Sequence, residues 1–297
     1  MKPIIIGIPT YNRPDKCEFI VRQLIGALAD LKDVFILVMD NSEIPNPALE
    51  RASEVHGDRL EYIQNNSNLG LDGSLLKLCS IAKGRKANLW FLCDDDVIFD
   101  EGARAFVTAI RQNSAPVKLC KFGYMEAAPA SSSGSWQGAT PVDYFRTSFL
   151  PTLCIDTDYF TEGNLPSLLG CNYIHLAIIN QMISSLSEVE VFDCMVGSQI
   201  ENKQLGFSLI DTFIIGFIKA LTYRRILPIA QIRQVTAFRL RGYLSHIIKE
   251  VWSERQASLP SSEVTAIALA IYKQLGVRHF LVLGVHIILL FSLSLIR

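Results

Sequence analysis

Between residues 3 and 122 the chain alternates short apolar runs with stretches whose apolar positions recur at helical spacing. Pro3–Ile8 is a continuous apolar run and predicts a buried strand. Phe19, Ile20, Leu24, Leu28 and Leu31 share one face of a helix predicted over Asp15–Leu31. Val34–Met39 is a second buried strand, ending in Asp40-Asn41-Ser42. Pro45 and Pro47 open a loop that leads into a short helix reaching His56. Leu60–Gln64 is a third, shorter strand; Asn65–Gly73 is a polar, glycine-bearing loop; Leu75, Leu76, Leu78 and Ile81 mark the next helix. The run Asn88-Leu-Trp-Phe-Leu-Cys93 reads as a fully buried central strand and passes directly into Asp94-Asp95-Asp96. A helix over Asp100–Gln112 and a strand over Val117–Phe122 complete the series. Strand and helix alternating in this way predict an α/β fold, a doubly wound and mostly parallel sheet flanked by helices.

The pattern changes further along. Residues 126–141 are small and polar and read as a loop or lid that carries Trp136, a residue suited to stacking on a sugar ring or to anchoring the loop by packing. Residues 145–200 rejoin the fold. Residues 201–256 hold nine lysines and arginines against four acids, interleaved with apolar runs such as Phe207–Leu221. That composition suits helices lying on an anionic membrane surface, and equally a basic amphipathic helix packed on the domain. Phe280–Ile296 is apolar apart from His286, Ser292 and Ser294; at about 1.5 Å per residue it reaches about 25 Å, the short limit for a bilayer span. A spanning tail, an in-plane helix and a buried packing helix all fit it. The expected organisation is a catalytic α/β domain over 1–200 and a helical, apolar and basic extension over 201–297.

Composition narrows the classes. A net charge of −1 over 297 residues implies no nucleic acid or other bulk polyanion as partner. An apolar fraction of 49%, a charged fraction of 19% and a mean hydropathy of +0.27 point to a membrane-facing part or an unusually buried chain. The seven cysteines are scattered without a CxxC pair, which argues for buried reduced thiols rather than zinc. Met1–Ile8 lacks the long apolar core of a signal peptide and reads as the first strand. A cytoplasmic location is expected, peripheral on or anchored to the inner face of the cytoplasmic membrane.

A parallel sheet brings the loops after its strands to one edge, where open α/β sheets bind ligands. Four such loops are Pro9-Thr-Tyr-Asn-Arg13, Asp40-Asn-Ser42, Asn65–Gly73 and Asp94-Asp-Asp96. Thr10, Tyr11 and the backbone after Pro9 suit the flanks of a planar base. Asp40 suits a base N–H. Asn68, Gly70 and Gly73 lie where backbone can approach a nucleotide closely. Three packed carboxylates repel unless a cation joins them, and a divalent metal on a diphosphate, Mg²⁺ or Mn²⁺, is the natural partner for hard oxygen ligands. An acidic turn capping the next helix is the plain alternative.

Ile8-Pro-Thr-Tyr-Asn-Arg13, Met39-Asp-Asn-Ser42, Asn68-Leu-Gly70 and Trp90-Phe-Leu-Cys-Asp-Asp-Asp96 resemble the family 2 glycosyltransferases of GT-A fold. The phrase Trp90–Ile98 is most similar to the abequosyltransferase-like branch, which decorates O-antigens. The resemblance covers the first 112 residues well, is weak over 145–195 and is absent after about 200. It implies a nucleotide-diphosphate sugar donor, a divalent metal on a DxD-type motif, and a glycan or lipid-linked acceptor in cell-surface polysaccharide synthesis. By that analogy Asp40 contacts the nucleobase, Asp94 or Asp95 meets the ribose, and Asp96, with Asp94, holds the metal. Arg13 suits the diphosphate or a surface salt bridge.

An inverting single displacement needs a general base for the acceptor hydroxyl. The family places a Glu-Asp pair at a helix start beyond the metal motif, and this chain has none there. The region reads Gly170-Cys-Asn-Tyr-Ile-His175, and His175 stands where the acid is expected; a histidine packed at a helix start is the plain alternative. Asp156 and Asp158 are rival bases, with Glu162 and Asp193 behind them. Without a base, the chain reads as a nucleotide-sugar-binding scaffold lacking turnover. A nucleotidyltransferase is disfavoured, because Pro9–Pro14 lacks the glycine-rich loop of that class.

Overall fold

The computed structural model describes residues 1–123, 132–135, 148–183, 188–199, 216–223 and 234–235. The strands are β1 (Ile4–Thr10), β2 (Val34–Asp40), β3 (Leu60–Gln64), β4 (Asn88–Phe91), β5 (Asp96–Ile98), β6 (Val117–Lys121), β7 (Ser132–Ser135), β8 (Leu153–Asp156), β9 (Glu188–Met195) and β10 (Gly197–Gln199). The helices are α1 (Pro14–Ala27), α2 (Pro47–Val55), α3 (Gly70–Gly84), α4 (Asp100–Gln112) and α5 (Ile174–Ile183), with a short turn of helix at Phe217–Leu221.

Eight strands form one sheet in the order β3-β2-β1-β4-β8-β6-β9-β7. The β3-β2-β1-β4 half is parallel throughout, as the alternation predicts. Side chains along β1 and β4 alternate between two cores, as strand geometry requires. Ile5, Leu89 and Phe91 face one layer, built with α3 and α5. Ile4, Ile6, Ile8, Trp90 and Leu92 face the other, built with α1 and α4. Both faces are covered, which explains why these strands read as unbroken apolar runs. Trp90 is fully buried, sets its ring edge-on to Phe106 at 5.2 Å, and donates its indole N–H to the Pro151 carbonyl at 2.9 Å.

Three features depart from the sequence pattern. Helix α1 stops at Ala27, four residues before Leu31, because Leu28 leaves helical geometry with its N–H still bonded to Leu24. Helix α3 begins at Gly70, inside the segment predicted as loop, with Asp72 in its first turn. Strand β8 is inserted antiparallel between β4 and β6. Its last residue, Asp156, therefore pairs with Asn88, the first residue of β4, at the edge opposite the carboxyl ends of β1, β2, β3 and β4. The seven cysteines are free thiols.

A two-stranded ribbon of β5 and β10 lies just past the Asp triplet and pairs Asp96 with Gln199. It is held down where α4 starts. A Cβ on Gly102 would sit 1.8 Å from the Met195 carbonyl oxygen, and Phe99 N–H donates to Val196 at 2.9 Å. The backbone of α4 thus presses directly on the end of β9, with no space for a side chain. Gly102→Ala is expected to cost about 1–3 kcal/mol through overpacking, read as a lower urea midpoint; an unchanged midpoint would contradict this contact.

Candidate functional site

Strand β4 leads its chain into Asp94-Asp95-Asp96, and all three carboxylates are buried, at 6%, 5% and 2% exposure. The loop after β1 clamps them. Thr10 Oγ1 donates to Asp94 at 2.8 Å, and the Arg13 guanidinium donates to Asp94 at 3.1 Å and to Asp95 at 3.3 Å. Arg13, whose side chain is 37% exposed, ion-pairs with both carboxylates and so joins two loops across the edge. Burial raises the Asp94 carboxyl above its ordinary value, against the Thr10 and Arg13 contacts that lower it. Asp96 accepts the Cys93 N–H at 2.6 Å, which folds the triplet into a tight turn. Burial raises the Asp96 carboxyl above its ordinary value, opposed by that bond and reinforced by Asp95 and Asp94.

This donor set fits a divalent cation. Cys93, Asp95 and Asp96 each place one ligand atom within 4.8 Å of the others. Burial raises the Cys93 thiol well above its ordinary value, so it stays protonated near neutrality and the oxygen donors remain. Two hard carboxylates suit Mg²⁺ or Mn²⁺. Asp94, expected beside Asp96 as a ligand, accepts from Thr10 and Arg13, and Arg13 also bonds Asp95.

Asp40 ends β2 and is 2% exposed. The Ser42 N–H and hydroxyl donate to its Oδ1 at 2.8 and 2.5 Å, and the Tyr62 hydroxyl donates to Oδ2 at 2.6 Å. The same Tyr62 oxygen accepts the Asn46 N–H at 2.9 Å. Burial, then the Asp40 contact, raises the Tyr62 hydroxyl above its ordinary value, so it remains a donor. Asn41 is the hub of the third loop. Its amide donates to Ser74 at 2.9 Å, and its oxygen accepts from Asn65 at 2.8 Å and from the Leu69 N–H at 3.2 Å. Lys77 completes the group by donating to Asn65 at 2.6 Å.

The structure therefore brings Thr10, Arg13, Asp40, Asp94, Asp95 and Asp96 to one sheet edge. Pro9 is buried in β1, while Tyr11 follows it at 47% exposure. Asn68 caps the backbone N–H of Gly70 at 2.8 Å, and Gly73 lies within the first turn of α3 against Leu69. His175 sits in the first turn of α5, 2% exposed, with its ring 5.6 Å from that of Tyr173. Asp156 and Asp158, the rival bases, do not join this edge: they lie at the opposite end of β4 and both pair with Lys2. Asp193 pairs with Lys121. Trp136, the boundary at residue 200, most of the basic stretch and the 280–296 segment lie outside the described residues. Among the described residues no helix is long and apolar enough to cross a membrane.

Sequence reasoning missed Tyr62, Asn41, Cys93 and Asp72 as members of the site or its support. Tyr62 sits on a half-buried edge strand, where an aromatic is ordinary. Asn41 was visible between Asp40 and Ser42 but gave no sign of its partners.

Residues 5–129 match the family model described as Glycosyl transferase family 2. No curated protein matches the chain. Solved structures of TarS from S. aureus share the fold. TarS 1–349 matches with a TM-score of 0.54 at 18% identity, over 91% of this chain and 79% of that one. TarS 1–349 in complex with UDP-GlcNAc matches with a TM-score of 0.56 at 16% identity, over 92% and 80%. The longer TarS structure matches with a TM-score of 0.57 at 18% identity, and the present chain spans 48% of it. The fold is GT-A, and the match to the family 2 model is confined to residues 5–129.

Tyr62→Phe removes the donor to Asp40 Oδ2 and the acceptor for Asn46 N–H. It is expected to cost about 1–3 kcal/mol in chemical denaturation; an unperturbed variant would show that Tyr62 does not hold Asp40.

Proposed function

We propose that this chain is a glycosyltransferase that moves a sugar from a nucleoside-diphosphate sugar to a glycan or lipid-linked acceptor in cell-surface polysaccharide synthesis. The observation that carries the reading is the clamp of Thr10 and Arg13 on Asp94 and Asp95, set beside Asp40 at one sheet edge on a family 2 sequence. TarS is solved with UDP and with UDP-GlcNAc, which makes a uridine nucleotide the first donor to test. The abequosyltransferase-like phrase Trp90–Ile98 keeps a deoxyhexose donor in view.

In this reading Asp40, oriented by Ser42 and Tyr62, meets the nucleobase beside Tyr11. Asp94 or Asp95 meets the ribose. Asp96 and Asp95 would hold Mg²⁺ or Mn²⁺, which would supply Lewis-acid neutralisation of the charge on the leaving diphosphate. Arg13 sits within reach of the same edge and adds positive charge there. His175 accepts the proton of the acceptor hydroxyl at a ring nitrogen as the hydroxyl oxygen attacks the anomeric carbon, an inverting displacement. The basic, apolar residues beyond 200 favour an acceptor at a membrane surface.

A second reading rests on a specific observation. The Glu-Asp pair of the family is missing, and His175 is 2% exposed. A protein with a complete donor edge and no base binds a nucleotide sugar without turning it over.

Calorimetric titration with UDP, GDP, CDP and dTDP, each with and without Mn²⁺, separates the possibilities. One nucleotide is expected to bind in a Mn²⁺-dependent manner. Asp96→Asn keeps an acceptor for the Cys93 N–H and removes the charge, so it should abolish that dependence while the thermal transition persists. Failure of all four nucleotides to bind would overturn both readings. His175→Ala should lower turnover by about 10²–10⁴-fold with nucleotide affinity unchanged; full turnover in that variant would remove His175 as the base.

A further inference from the structure

Asp72 is a carboxylate of α3 that no step above uses, and it is 2% exposed. It reaches across 100 residues of sequence to the turn before α5. Its Oδ2 accepts the Asn172 N–H at 2.8 Å and its Oδ1 the Ile174 N–H at 3.2 Å. Gly170 and Cys171 lie beside it and favour its ionised form. The turn is shaped for this. Gly170 and Asn172 adopt left-handed backbone, with φ of +85° and +58°. Such conformers, alternating with ordinary ones, turn successive N–H groups toward one point and make an anion-binding concavity. Here that concavity is filled by a side chain of the same protein.

The first turn of α3 is gripped from its other side by the donor edge. Asn41, next to Asp40, bonds to Ser74, to the Leu69 N–H and to the Gly70 carbonyl at 3.4 Å. One turn of helix therefore joins the residue after Asp40 to the turn that ends at Ile174, and His175 follows directly. The carboxylate is a costly way to cap a turn. Burial raises the Asp72 carboxyl above its ordinary value, outweighing its bonds to Asn172 and Ile174 and the lowering influence of Gly170 and Cys171.

We propose that Asp72 is a positioning residue, which locks the turn 170–174 to α3 and so fixes His175 relative to the donor edge. The inference rests on the glycosyltransferase reading and on His175 as its base.

The test is steady-state UDP release from UDP-GlcNAc, with water or an added glycan as acceptor, for wild type, Asp72→Asn, Asp72→Glu, His175→Ala and the Asp72→Asn/His175→Ala double variant. Asp72→Asn turns an amide NH₂ toward donors, and Asp72→Glu keeps the charge but displaces the turn. Each is expected to lower kcat by about 10–100-fold, the scale of a misplacement of about 1 Å, with the donor KM and the calorimetric Kd for UDP unchanged. In the His175→Ala background, Asp72→Asn should cost less than about twofold, because both changes remove the same contribution. An equal loss in both backgrounds, a rise in donor KM without a fall in kcat, or wild-type kcat in Asp72→Asn would each overturn the inference while leaving the glycosyltransferase reading in place. Loss of a cooperative thermal transition in both single variants would make Asp72 a structural residue and also overturn it. A wild-type protein that neither binds UDP nor releases it from UDP-GlcNAc would overturn the uridine reading, and this inference with it.

Discussion

Three adjacent carboxylates buried at the end of one strand constrain everything around them. Each must leave water, and each raises the cost of ionising its neighbours. The fold answers with a cation from another strand: Arg13, placed by the turn after β1, reaches Asp94 and Asp95 together. Thr10 and the Cys93 N–H supply the remaining bonds. These contacts work only if β1 and β4 are parallel neighbours, and the register Ile4↔Asn88 through Gly7↔Phe91 makes them so. The apolar run through Trp90 and the Asp triplet are two halves of one requirement. A strand buried on both faces fixes where the carboxylates lie, with ligand atoms of Asp95 and Asp96 within 4.8 Å of each other.

The same logic extends along the edge. Asp40 is fixed by Ser42 and Tyr62, and Asn41 fastens the start of α3. Preorganisation of this kind keeps polar groups in place before a ligand arrives, which is what makes oriented dipoles effective on a developing charge. The groups that hold each carboxylate come mostly from other elements, so the site is a property of strand order and not of any one loop.

Much of this was legible in the chain. Four apolar runs ending in polar loops placed Thr10, Arg13, Asp40 and Asp94–Asp96 at a common edge, because a buried parallel strand has no other way to read. What escaped had physical reasons. Leu153–Asp156 is a short apolar run whose direction no periodicity reveals, and only the fold shows that its strand runs antiparallel and carries Asp156 to Lys2. The start of α3 was masked by Gly70 and Gly73, poor helix formers whose place is secured by Asn41 and Asn68. Asp72 falls within the segment that the pattern assigns to a loop, where an acid is ordinary. Its partners lie 100 residues away, and only the fold brings them together.

The central claim is that the edge formed by Thr10, Arg13, Asp40 and Asp94–Asp96 is where a nucleoside diphosphate and a divalent metal bind. The most direct measurement is a crystal structure of the protein grown with UDP and Mn²⁺, with the ion located by anomalous scattering. The account predicts the Mn²⁺ peak within coordination distance of Asp95 and Asp96, the diphosphate against it, and the uracil ring between Tyr11 and Asp40. A nucleotide or ion seated elsewhere, for example in the groove of about 310 Å³ between α1 and α2 lined by Val21, Arg22, Leu49 and Arg51, would contradict it.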